Sequence, residues 1–162
     1  MTDWPTARLD PIRQMLVLAK VLPAVGVVER VLDASYDRVW SFMQDLEHSV
    51  PAFDPMVGSL RILSREGERL IVSARTSGTP FNLRFQTELR DGWCLMRSRM
   101  YVVGMAAMPL GDRTRYVHLE GLPYLGATPL RALRPLLRRV VRADVDGIAR
   151  QLGHPQTTDH DR

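Results

Sequence analysis

The chain of 162 residues contains one cysteine, Cys94, and one lysine, Lys20. A single cysteine excludes an intrachain disulfide and any multi-cysteine zinc site, and it is compatible with a reducing, cytoplasmic setting. The four histidines, His48, His118, His154 and His160, are scattered, with no His-x-x-x-His pair, so no metal site is expected from spacing. There is no glycine-rich phosphate loop and no nucleophile elbow, and no cofactor is implied. Aromatic residues make up 7% of the chain and do not interleave with the arginines, which argues against nucleic acid as a partner. Long apolar runs are also missing. Ile12 to Val28 is the nearest approach, but Lys20 and Pro23 break it, so neither a transmembrane segment nor a signal peptide is expected there.

What is present fits one globular domain with a core of its own: 45% hydrophobic and 25% charged residues. The net charge of +4 comes almost wholly from arginine. It permits contact with acidic surfaces without arguing for it.

The order of elements is the strongest signal. Asp10 caps a helix to Leu22, with Pro11 at its first position and Ile12, Met15, Leu16 and Ala19 as an apolar stripe. This stripe predicts packing on the domain; a membrane-surface or partner contact is the alternative. Val25 to Leu32 is extended. Ser35 caps a helix from Tyr36 to about Leu46, and His48 to Phe53 is a further helical turn broken by Pro51 and Pro55. Strands are predicted at Val57–Ser64, Arg69–Thr76, Phe81–Arg90, Trp93–Met100, Tyr101–Leu110 and Thr114–Gly121, making seven with the first. Phe81, Leu83, Phe85, Thr87 and Leu89 alternate with polar residues, as a half-solvated antiparallel strand requires. A Gly/Pro-rich loop, Gly121 to Pro129, leads to a long amphipathic helix from Thr128 to Leu152, ended by Gly153. The expected organisation is an N-terminal extension over 1–24, one domain over 25–153 and a frayed tail over 154–162.

This order resembles the START/Bet v 1-like helix-grip superfamily, specifically the bacterial polyketide cyclase/dehydrase-type (SRPBCC) proteins. Three stretches carry the resemblance: Ala34-Ser35-Tyr36-Asp37-Arg38-Val39-Trp40; Asp45-Leu46-Glu47 with Pro51 to Val57; and Arg138 to Ile148 in the last helix. None of them is a catalytic signature. The resemblance covers about Val25 to Gly153, and the N-terminal helix departs from the usual pattern. It implies an α+β fold, with a seven-stranded antiparallel sheet wrapped around the long C-terminal helix and an apolar cavity between them. Members of the family bind lipids, sterols, polyketides or other hydrophobic molecules, and some are aromatases or cyclases.

On that frame the expected ligand-binding residues are Trp40, Phe81, Leu83, Phe85, Met100, Met105 and Met108, with Leu137, Val141 and Val145 on the helix. Each is equally explained as plain core. Methionine suits a tolerant apolar pocket. Tyr116, His118 and Glu120 share one face of the last strand and are the candidates for acid–base work. Val117 and Leu119 form the other face and are the pair expected to point inward. Arg97 and Arg99 are expected to be exposed, although a buried arginine would suit a ligand carboxylate. Cys94 reads as a small core residue. The leading function is binding of a hydrophobic small molecule, more a carrier than an enzyme. The alternatives are a cyclase-type enzyme, and an interaction module using the N-terminal helix or the stripe Arg131, Arg134, Arg138 and Arg142.

Overall fold

A computed structural model describes residues 9–123 and 132–153 of the chain. Thr128 as a cap, Arg131, most of the Gly/Pro loop and the expected frayed tail lie outside the described residues.

The elements run α1 (Pro11–Val21), β1 (Ala24–Leu32), α2 (Tyr36–Gln44), α3 (Leu46–Phe53), β2 (Val57–Glu66), β3 (Arg69–Thr76), β4 (Asn82–Arg90), β5 (Trp93–Arg97), β6 (Val102–Leu110), β7 (Arg113–Leu122) and α4 (Arg134–Gly153). The seven strands form one antiparallel sheet in the order β1-β7-β6-β5-β4-β3-β2. Joining β1 to β7 leaves β1 and β2, adjacent in sequence among the strands, at opposite edges. The helices between them therefore cross one face of the sheet.

Local chemistry accounts for the ends of the elements. The Asp10 carboxylate accepts from the Arg13 N–H at 2.8 Å, and the Ser35 hydroxyl accepts from the Arg38 N–H at 3.4 Å. The hairpin at Asp91-Gly92 needs glycine, because Gly92 has φ +67° and a Cβ there would lie 2.7 Å from the Ala107 carbonyl oxygen. Three expectations are corrected. Pro51 sits inside α3 rather than breaking it; in so short a helix, proline removes one backbone hydrogen bond. The strand expected from Phe81 begins at Asn82, and the strand expected over Trp93–Met100 stops at Arg97.

Both faces of the sheet are covered. On one face, α4 packs along β1, α3 over β2 and α2 over β6, enclosing a core that includes Val39, Trp40, Met43, Leu46, Phe85, Met105, Tyr116, Val141, Val145 and Ile148. On the other, Ile12, Met15 and Ala19 of α1 bury themselves against Trp93, Leu95, Ala106, Val117 and Leu119. The helices approach through glycines. A Cβ on Gly26 would fall 2.5 Å from the Leu137 backbone, so α4 rests directly on β1. A Cβ on Gly104 would meet the Met15 sulfur at 2.5 Å.

Candidate functional site

A cavity of about 240 Å³ opens on the α4 side of the sheet. Its wall is mostly apolar: Val50 and Phe53 from α3, Val57 and Leu60 from β2, Leu83 and Phe85 from β4, Met96 from β5, Val103 from β6 and Val140 from α4. Asp54, Tyr101 and Glu120 are its polar members away from the Arg75–Thr76 rim.

Behind Glu120 runs a buried chain of hydrogen bonds. Tyr116, His118 and Glu120 are on one side of β7, since residues two apart share a face. The Tyr116 hydroxyl lies 2.9 Å from His118 Nδ1, and His118 Nε2 lies 2.8 Å from Glu120 Oε1. The Tyr101 hydroxyl donates to Glu120 Oε2 at 2.8 Å. Phe53 and the imidazole meet edge to face, with ring centroids 5.8 Å apart and planes at 87°. Tyr116 and His118 are fully buried, and Glu120 is 3% exposed.

Asp144 of α4 completes the cluster. It is 3% exposed, and its Oδ2 has no hydrogen-bond partner. Burial, then the charge of Glu120, push its carboxyl up to about 7. The same two causes, in the same order, raise Asp54. Burial raises the hydroxyls of Tyr101 and Tyr116 as well, so both stay neutral at any physiological pH. The cluster is thus rich in carboxylates inside a low-dielectric wall.

The facing of β7 overturns the expectation from pattern. Val117 and Leu119 point to α1, while Tyr116, His118 and Glu120 point to the cavity side. Pattern favours the apolar pair because an inward face is usually the apolar one. Here α1 supplies a second apolar environment on the opposite face.

The other expected residues divide. Leu83, Phe85 and Glu120 line the cavity. Trp40, Met105, Val141 and Val145 are buried in the core on the same side without lining the cavity. Leu137 is half-buried where α4 crosses Gly26. Phe81 and Met100 are 71% and 64% exposed, outside any strand. Met108 packs on the α1 side. Met105 and Met108 are three residues apart on one strand, so they cannot share a face. Arg97 and Arg99 are exposed and border an open groove on the sheet's outer surface. Cys94 is fully buried, as expected of a core residue.

Sequence reasoning missed Tyr101, Asp54, the α3 wall and Asp144. One signal was there for Asp144. It falls three residues after Val141 and four before Ile148, within the apolar stripe of α4, where a carboxylate is out of place.

Of the residues proposed for an interaction surface, Ile12, Met15 and Ala19 are buried by the sheet. Arg134 donates to the carbonyls of Leu22 and Pro23, tying α4 to the α1–β1 connection. No helix among the described residues is long and apolar enough to cross a membrane.

No family model and no curated protein matches the sequence. Solved structures do match. The Zhui aromatase/cyclase from Streptomyces sp. R1128 superposes with a TM-score of 0.58 at 17% identity, covering 79% of this chain and 93% of that one. A START superfamily protein from Mycobacterium smegmatis gives 0.61 at 14% identity, covering 79% and 96%. A protein from Thermus thermophilus gives 0.58 at 20% identity, covering 79% and 96%. Similarity at these identities is similarity of fold, and the chain has the START-like (SRPBCC) helix-grip fold, with a further helix, α1, on the back of its sheet.

Proposed function

We propose that the chain binds a compact, largely apolar small molecule in the cavity, with one polar group of that molecule directed at Tyr101 and Glu120. The observation that carries this reading is an apolar wall ending in hydrogen-bonding groups that are already ordered. Apolar contact supplies the driving force, at roughly 25 cal/mol per Å² buried before ordering costs. Tyr101 and Glu120 supply orientation. The volume narrows the ligand class. At about 240 Å³ the cavity lies below the range of roughly 300–1,000 Å³ common for ligand sites. A single- or two-ring molecule, or a short-chain lipid, suits it better than a sterol or a full polyketide.

Native mass spectrometry of the purified chain, with extraction of co-purifying molecules, tests this, together with titration by the neutral apolar dye Nile red. Leu83→Trp fills the wall and is expected to weaken dye binding at least tenfold. Equal binding by the wild type and Leu83→Trp would remove the cavity as the site.

A second reading has its own support. The inward facing of Tyr116, His118 and Glu120 is what a cyclase-type enzyme would need, and one fold neighbour is an aromatase/cyclase. Glu120 would take a proton from bound substrate, and His118 would stabilise the resulting acid. Turnover of a small β-dicarbonyl compound by the wild type but not by Glu120→Gln distinguishes catalysis from carriage.

A further inference from the structure

We propose that His118, Glu120 and Asp144 form a binding site for one divalent transition-metal cation, set in the wall of the cavity. The fold brings the three together from two elements. His118 and Glu120 are successive residues on one face of β7, and Asp144 approaches from α4. One donor atom from each lies within 4.8 Å of the other two, and all three residues are buried.

A plain hydrogen bond between His118 and Glu120, 2.8 Å apart, accounts for two members of this group. It leaves the third unexplained. Asp144 is 3% exposed, aimed into the cluster, and its Oδ2 has no partner. No lysine or arginine among the described residues pairs with either carboxylate. A buried carboxylate oxygen without a partner is costly, and a cation shared among the three supplies what it lacks.

The donor set also selects the kind of cation. One imidazole with two carboxylates suits zinc, manganese, iron or cobalt, whereas calcium and magnesium prefer oxygen alone. The surroundings hold the donors in the required directions. With His118 Nδ1–H donating to the Tyr116 hydroxyl, Nε2 is free of its proton and faces the carboxylates; Tyr101 donates to Glu120 Oε2 and orients that carboxylate, and the cation takes the place of the proton that Nε2 and Oε1 would otherwise share. Three protein donors leave coordination positions for other molecules. Glu120 also lines the cavity, so the cation would be within reach of a bound ligand's oxygen. The inference does not depend on what fills the cavity, because metal binding is measurable without any organic ligand.

The test uses the full chain, stripped with chelator. Co²⁺ is titrated in and followed by its visible absorption, and Zn²⁺ and Mn²⁺ are followed by calorimetry, for the wild type, Asp144→Asn and His118→Gln. The expected result is one equivalent bound by the wild type, a raised melting temperature, and binding at least tenfold weaker in each variant. Circular dichroism checks that the variants remain folded. Should they unfold, histidine NMR of the wild type decides. On adding Zn²⁺, the His118 ring resonances move, and those of His48, His154 and His160 stay. A folded wild type that binds none of the three ions overturns the proposal. So does binding that survives both substitutions, or that shifts another histidine in place of His118.

Discussion

The side chains of β7 divide between two cores that sit back to back on one sheet. Towards α1 go Val117 and Leu119, meeting Ile12, Met15, Trp93 and Leu95 in a cluster of apolar side chains. Towards α4 go Thr114, Tyr116, His118 and Glu120, all buried, beside a cavity of about 240 Å³. The first core is closely packed and apolar. The second leaves space unfilled and buries carboxylates, both of which cost stability. The site thus lies on one side of the sheet, within the larger of the two apolar cores, and substitutions on the two sides are expected to behave differently.

The widest contrast is in how the two helices dock. An added methyl on Gly26 would run into the Leu137 backbone, whereas on Gly104 it would meet the end of the flexible Met15 side chain. Gly26→Ala is therefore expected to cost about 3 kcal/mol or to prevent folding, and Gly104→Ala about 1 kcal/mol. Urea denaturation of both variants checks the order. Equal costs would mean that α4 can shift as easily as Met15 can.

Truncation gives the next contrast. Met15 is fully buried in the filled core, and Met15→Ala is expected to cost about 2–5 kcal/mol. Leu83 is half-buried on the cavity wall. Leu83→Ala enlarges space that already exists and is expected to cost about 1 kcal/mol, while changing dye affinity. A larger loss at Leu83 than at Met15 would mean that the cavity wall is packed as tightly as the core beneath α1.

Removing one hydroxyl has a smaller effect. Tyr116→Phe deletes the partner of His118 Nδ1 and keeps the ring. The expected cost is about 1–2 kcal/mol, the penalty for a buried polar group left unpaired. Denaturation midpoints compared with Tyr36→Phe, whose hydroxyl reaches Asp91 in an exposed bond, test whether burial sets the size of the loss.

Much of this arrangement is written locally, and some of it is not. The caps at Asp10 and Ser35 and the alternation Phe85-Thr87-Leu89 are readable because they depend on neighbours within a few residues. The facing of β7 depends on α1, roughly a hundred residues away in sequence, which gives Val117 and Leu119 a buried place of their own. Alternation tells which residues share a face, and no local signal tells which helix that face will meet. The parity of Met105 and Met108 was available from spacing alone. The meeting of Asp144 with His118 was not, because it arises from the crossing of α4 over the sheet.

Adjacent residues of β5 offer the mildest contrast. Trp93 belongs to the α1 side and Cys94 to the α4 side. Burial, then the charge of Glu88, push the Cys94 thiol up to about 12 from 9.0. The folded chain therefore holds this proton at pH values where the unfolded chain has released it. Folding stability from this group is intact below pH 9 and declines as pH rises towards 12, by about 1.4 kcal/mol per pH unit. The raised tyrosines add losses of the same sign, so the measurement is a difference. Between pH 9 and 10, wild-type stability is expected to fall more steeply than that of Cys94→Ala, by about 1 kcal/mol over the interval. The thiol of the folded protein is likewise expected to resist alkylation at pH 8 and to react on unfolding, because the thiolate is the nucleophile. Parallel slopes, or rapid alkylation of the native chain, would mean that the interior behind β5 is open to water, and the wall separating the two cores would then be thinner than the packing of Cys94 and Met96 implies.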